Sequence, residues 1–180
     1  MEDSMKIALN LYFDQKAERQ IIAIWERLAR IKVGKCMSCS NGRPHITLAI
    51  YQDVNPDILK EKINVIAEKI PGFELKFLQI GIFPHNKGAI FLAPSLKDEL
   101  FHSHRLSHTE LQEISEHCWD YYKPHSWYPH CTLSLETPLN DIPKVIQEII
   151  KDFQPIDVKV DSIGLVSLDP LEYLTEIKLK

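Results

Sequence analysis

Pro44-His45-Ile46-Thr47-Leu48 and Pro129-His130-Cys131-Thr132-Leu133 are two copies of one short stretch. Four of the five positions are identical, and the fifth is apolar in both. A chance pair this close is expected in on the order of one chain in a thousand of this length. Each copy reads as the start of a β-strand, where side chains alternate between two faces. His45, Thr47 and Ala49 should share one face, with Ile46, Leu48 and Ile50 on the other. In the second copy His130, Thr132 and Ser134 should share a face, opposite Cys131, Leu133 and Leu135. The apolar sets belong to a core, which leaves the histidines and threonines on an open face. Pro44 and Pro129 suit the first position of a strand, where no ladder hydrogen bond is lost.

Two His/Thr pairs facing one cleft make a phosphate site. A histidine near its ordinary pKa gives or takes a proton at neutral pH. A threonine hydroxyl donates to a phosphate oxygen. Histidines on opposite sides of a phosphorus atom can act as base and acid in an in-line displacement. A single His-x-Thr on a strand is usually an ordinary polar face, so the weight lies in the duplication.

The chain resembles the two-histidine (2H) phosphoesterase superfamily, and within it the 2′-5′ RNA ligase-like branch. That family is defined by two His-x-Thr/Ser-x motifs in two similar lobes. His45, Thr47, His130 and Thr132 carry the match, and neither motif departs from the pattern. The resemblance implies a metal-independent enzyme that opens 2′,3′-cyclic phosphates of RNA ends or nucleotides to 2′-phosphates. It also implies a reverse, joining reaction that forms a 2′-5′ linkage without ATP. One histidine would activate water and the other would protonate the departing 3′-oxygen. The near-identical motifs conceal which does which. Neither a cofactor nor a metal ion is expected.

The chain has 180 residues, 44% hydrophobic and 26% charged, which is ordinary for a globular protein. No apolar run approaches a membrane span. Met1 to Met5 is acidic, lacks a signal-peptide pattern and reads as a disordered lead-in to a cytoplasmic protein. The net charge of -4 argues against a long nucleic-acid track. The expected partner is an RNA 3′ end or a small nucleotide, and the expected state a monomer.

Cys36 and Cys39 form a C-x-x-C, and Cys118 and Cys131 complete the four cysteines. A structural zinc site needs two further ligands that no second compact pair supplies. Reduced loop thiols are the expectation.

Periodicity predicts a strand over Lys6 to Tyr12, then a helix from an Asp14 N-cap to about Ile31. Ala17, Ile21, Ile24, Trp25 and Leu28 form its apolar stripe, and Gly34 is the expected stop. Asn55-Pro56 should open a second helix. Strands are predicted at 73–77, 80–83 and 89–93, with a turn over Pro84 to Gly88. A helical region should span Ser95 to Tyr121, with His102, His104, His108 and His117 on its solvated face. A last helix is predicted over Asn140 to Lys151, with Ile150 among its inward residues. Strands follow at 156–160, 163–167 and 173–179.

Both halves read strand, helix, motif strand, helix, strands. Ile80-Gly81-Ile82 and Ile163-Gly164-Leu165 occupy matching places. The expected fold is α+β: one bilobal domain over residues 1–180, two pseudo-symmetric lobes of antiparallel sheet, outer helices and a central cleft.

For the substrate, Arg43 stands before Pro44 as a candidate phosphate contact. Tyr128, beside Trp127, is a candidate stacking surface for a base. Lys87, His125 and Tyr12 are weaker candidates. Rival readings are a non-catalytic module for RNA ends or nucleotides, an enzyme for another small cyclic or 2′-5′ phosphodiester, and a zinc-bound structural protein.

Overall fold

A computed structural model describes residues 5–86 and 88–180. The Met1 to Ser4 lead-in and Lys87 lie outside the described residues.

Strands and helices follow the predicted order. The first half contains β1 (Lys6–Phe13), α1 (Gln15–Ile31), β2 (His45–Gln52), α2 (Pro56–Lys69) and β3 (Phe73–Phe83). The second contains β4 (Ala89–Pro94), α3 (Asp98–Glu110), β5 (Cys131–Ser134), α4 (Ile142–Ile150) and β6 (Ile156–Leu168), with β7 (Leu171–Lys178) added.

Local chemistry fixes the helices. The Asp14 carboxylate accepts from the Lys16 and Ala17 N–H groups and opens α1. The buried residues of α1 are the predicted stripe: Ala17, Ile21, Ile24, Trp25 and Leu28. Each large apolar side chain buried there contributes roughly 1.5–3 kcal/mol. The stop comes earlier than Gly34: Lys32 takes the left-handed conformation (φ 52°) and donates its N–H to the Ala29 carbonyl. Asn55 caps α2 through the Asp57 N–H.

Two segments differ from expectation. The 95–121 region is helical only to Glu110, then turns through short 3-10 segments at 112–117 and 120–122. That path lets the Trp119 N–H reach the Ile50 carbonyl at 2.9 Å. Ile150 is 55% exposed at the end of α4, not inward.

The antiparallel strands form one sheet in the order β2-β1-β6-β3-β4-β5, with β7 beside β6. The stretches expected as separate strands in each half are single bent ones. In β3 the register passes from Phe77↔Pro94 to Gln79↔Ala93, leaving Leu78 as an extra residue. In β6 it passes from Val160↔Phe13 to Ser162↔Tyr12, leaving Asp161 extra. Such bulges bend a strand. The bend lets β6 pair with β3 through residues 156–160 and with β1 through residues 160–167.

Exchanging β1 with β4, β2 with β5 and β3 with β6 maps the strand order onto itself. Each lobe therefore draws its third strand from the other half of the chain. The two lobes share one continuous sheet, and the cleft lies on one of its faces rather than between two separate sheets. The main core lies against the helices and includes Ile46, Leu48, Leu133, Leu59, Leu100 and Ile149. Among the described residues, no helix is long and apolar enough to cross a membrane.

Candidate active site

The motif strands β2 and β5 are the two ends of the strand order. Each carries a bulge at the same place. Leu9 faces Ala49 but Asn10 faces Thr47, so Leu48 is extra. Ile90 faces Ser134 but Phe91 faces Thr132, so Leu133 is extra. An extra residue shifts the alternation of everything after it.

This corrects part of the face assignment. Ile46 and Leu48 are in the core as expected, but Ala49 joins them and Ile50 turns to the cleft face beside Ala8 and Val166. In the second copy Leu135 lines the cleft, and Ser134 is buried with its hydroxyl 2.8 Å from that of Thr137.

His45, Thr47, His130 and Thr132 line one cavity of about 200 Å³. Wider hollows exist on the surface, such as one of about 420 Å³ around Lys76 and Lys159. The cavity holding both motifs is the more enclosed. Both histidines are held alike. His45 Nδ1 lies 2.6 Å from the Arg43 carbonyl, and His130 Nδ1 lies 2.7 Å from the Tyr128 carbonyl. A carbonyl only accepts, so each Nδ1 carries the donated proton. Nε2 is left on each ring for proton transfer. Burial lowers both histidines below the ordinary 6.5; for His45 the nearby His130 and Arg43 charges add to the effect.

Aromatic rings bed each histidine. Tyr12 meets His45 edge-on at 6.2 Å, and Phe83 and Phe91 lie 5.1 and 5.3 Å from His130. The paired glycines make room for these rings. A Cβ on Gly81 would run into Phe91, and one on Gly164 into Tyr12.

Around this symmetric frame the two sides differ. The Thr47 hydroxyl donates to Asn10 Oδ1 at 2.9 Å, and Asn10 Nδ2 donates to the Tyr12 hydroxyl at 3.3 Å. At the matching register position, Phe91 faces Thr132. Asn10 is 1% exposed. Its signal in the sequence was a lone amide inside the apolar run Ile7 to Phe13. Tyr122, Tyr173 and Asn86 also line the cavity, and no local pattern marked them.

Arg43 lines the cavity, 4.5 Å over the Tyr12 ring. Two carboxylates match its charge: Glu18 at 2.7 Å and Glu176 at 2.7 Å. Tyr128 is 53% exposed and meets Phe83 and Phe91 edge-on, outside the cavity wall. Tyr12 lines the cavity, and His125 is exposed on the loop before the second motif. Trp127 is no open stacking surface, because the His104 ring covers it at 3.9 Å and 7°.

His104 is 2% exposed, which corrects its placement on a solvated face. It sits within hydrogen-bond distance of the Tyr122 carbonyl at 2.8 Å, and His108 of the Leu48 carbonyl at 3.3 Å. Cys36 and Cys39 are joined in a disulfide rather than left as thiols, and Cys118 and Cys131 are free and buried. Among the described residues, no group of three or more His, Cys, Asp or Glu side chains is placed to hold a metal ion.

The fold agrees with comparisons to known proteins. E. coli LigT complexed with 3′-AMP matches with a TM-score of 0.68 at 16% identity, covering 99% of each chain. LigT complexed with NADP+ matches at 0.65 and 17% identity, again covering 99% of each chain. TT0787 of Thermus thermophilus matches at 0.67 and 12% identity, over 97% of this chain and 98% of its own. At these identities the likeness is one of fold. No curated protein is significantly similar in sequence. The family profile of the 2′-5′ RNA ligase superfamily matches residues 22–170, a span that holds both motifs. The chain therefore belongs to the 2′-5′ RNA ligase superfamily of two-histidine phosphoesterases.

Proposed function

We propose that this chain is a phosphodiesterase that opens 2′,3′-cyclic phosphates, at an RNA end or on a nucleotide, to 2′-phosphates. The observation that carries the reading is the pair of histidines lining one cavity, each with Nδ1 committed to a carbonyl two residues upstream. Both rings thus offer the same nitrogen. In the reaction, Nε2 of one neutral histidine takes a proton from water as its oxygen attacks phosphorus. The P–O3′ bond breaks, and the second, protonated histidine gives its proton to the leaving 3′-oxygen. Thr47 and Thr132 hold the non-bridging oxygens as charge builds on them. No metal or other cofactor takes part.

With a 5′-hydroxyl in place of water, the same arrangement joins RNA ends through a 2′-5′ linkage. The LigT structures complexed with 3′-AMP, NADP+ and ATP favour a small nucleotide as the substrate class. Arg43 faces the substrate from the cavity wall, and Tyr128 offers an exposed ring outside that wall, on the side of His130. The chain acts as one bilobal domain over residues 1–180, as a monomer in the cytoplasm.

The test is hydrolysis of 2′,3′-cyclic AMP in excess EDTA, with the product separated from 3′-AMP by chromatography. A 2′-phosphate is expected. Release of the 3′-isomer, or a rate that vanishes with EDTA and returns with a divalent ion, rejects the mechanism.

A further inference from the structure

The two motif strands are edges, yet their outer carbonyls are occupied at equivalent positions. The Ile50 carbonyl accepts from the Trp119 N–H at 2.9 Å, and the Leu135 carbonyl from the Lys35 N–H at 2.7 Å. At each motif threonine the donor is instead an indole. Trp127 Nε1 donates to the Thr47 carbonyl at 2.9 Å, and Trp25 Nε1 to the Thr132 carbonyl at 2.9 Å. The pattern is crossed: Trp25, on α1 of the first half, holds the second motif. Trp127, in the loop before the second motif, holds the first.

The tryptophans do not occupy matching places in the two halves. Trp25 lies on a helix well upstream of His45, and Trp127 lies three residues before His130. The repeated architecture therefore does not explain their shared role. Both act on the carbonyl directly before an extra residue, Leu48 or Leu133. A bulge leaves local backbone groups off the ladder and re-aims the side chains around it. At that point the peptide plane is fixed by whatever holds its carbonyl. An indole supplies one donor and no acceptor, from the side.

Each indole is itself anchored. Trp25 is 3% exposed in the main core, and Trp127 stacks on His104.

We propose that Trp25 and Trp127 are positioning residues that set the aim of the Thr132 and Thr47 hydroxyls, respectively, by holding the carbonyl of each bulge. This rests on the proposed phosphodiesterase reading and assigns two further residues to that site.

The test replaces each tryptophan with phenylalanine and, separately, with 3-benzothienylalanine, which keeps the indole shape and replaces N–H by sulfur. Turnover of 2′,3′-cyclic AMP is measured for each variant alone and combined with Thr47→Val or Thr132→Val. Each single tryptophan variant should lower kcat about tenfold with KM changed less than about twofold. In a Thr132→Val background the Trp25 loss should shrink below about threefold, while it persists in Thr47→Val; Trp127 should show the reverse. Equal losses in both backgrounds, or unchanged kcat, reduce the indoles to edge packing and overturn the proposal.

Threonine χ1 couplings measured by NMR need no turnover. The Trp25 variants should lose a fixed rotamer at Thr132 alone, and the Trp127 variants at Thr47 alone. Unchanged rotamers overturn the brace even in an active enzyme. An inactive wild-type protein with the expected rotamer losses rejects the proposed reaction and keeps the brace.

Discussion

Thr47 donates its hydroxyl proton to Asn10 across 2.9 Å. The Asn10 amide is oriented by its own bond to Tyr12, so Oδ1 stays turned toward Thr47. A phosphate oxygen reaching Thr47 must compete with that acceptor. Thr132 has Phe91 across the ladder instead. The two threonines are therefore unequal donors. Thr132→Val should lose roughly 2.7–4 kcal/mol of transition-state stabilisation, and Thr47→Val distinctly less. Steady-state kinetics on 2′,3′-cyclic AMP decide it; equal losses would show that Asn10 releases the hydroxyl at no cost.

His45→Ala and His130→Ala should each lower turnover by about 10²- to 10⁴-fold, the range for a general acid or base. Both rings are partly exposed at the cleft, so circular dichroism and the unfolding midpoint should change little. A variant near the wild-type rate removes its histidine from the chemistry.

Burial lowers both histidines below 6.5. A lowered pKa keeps the base neutral further into acid, and it also empties the acid of its proton earlier as pH rises. Both limbs of the bell in kcat/KM should therefore move down, centring it on the acid side of 6.5. The limbs belong to the pair as a whole. A bell centred well above 7 contradicts this.

His104 is held neutral by burial, its pKa lowered to about 4, with His108 adding to the effect. Between 6.5 and that value the unfolded chain binds a proton that the fold refuses. Stability is full above 6.5 and falls as pH drops toward 4, by about 3 kcal/mol at about 1.4 kcal/mol per decade. Urea denaturation at pH 7 and pH 4 measures this. His104→Gln should flatten the difference, and an unchanged slope places the proton elsewhere.

The Cys36–Cys39 disulfide closes a loop of sequence separation 3. So short a loop stabilises by at most about 2 kcal/mol in the chain-entropy account. Cys36→Ser with Cys39→Ser should stay folded and keep its turnover. Loss of turnover in a folded double variant would tie this loop to the chemistry.

The repeat, the apolar stripe of α1 and the succession of strands and helices along the chain were legible because they are local: caps, periodicity and a duplicated five-residue stretch. The order of the strands across the sheet was not, because β3 and β6 exchange between the halves. Alternation also placed Ile46 and Leu48 correctly. It failed after Leu48 and Leu133, because one unpaired residue reverses every later face and leaves no mark in composition. It failed again at His104, whose burial depends on Trp127, far away in sequence. Arg43 was visible beside the first motif, but its partners Glu18 and Glu176 come from α1 and β7. Trp25 read correctly as core, while the bond its N–H makes to Thr132 spans the two halves.

The exchange of β3 and β6 bears on how the chain reaches this shape. Residues 5–83 supply β1 and β2 but not the strand that flanks β1, which arrives only near the end of the polypeptide. Neither half can complete its sheet by itself. A protein cut between β3 and β4 should stay unfolded as separate pieces and assemble only when both are mixed. Pairings between residues this far apart make for slow, all-or-none folding. Taken alone, the first half could complete its sheet only by lending β3 to a copy of itself and borrowing one in return. In that sense the single chain is built as a strand-swapped dimer whose two subunits have been joined end to end.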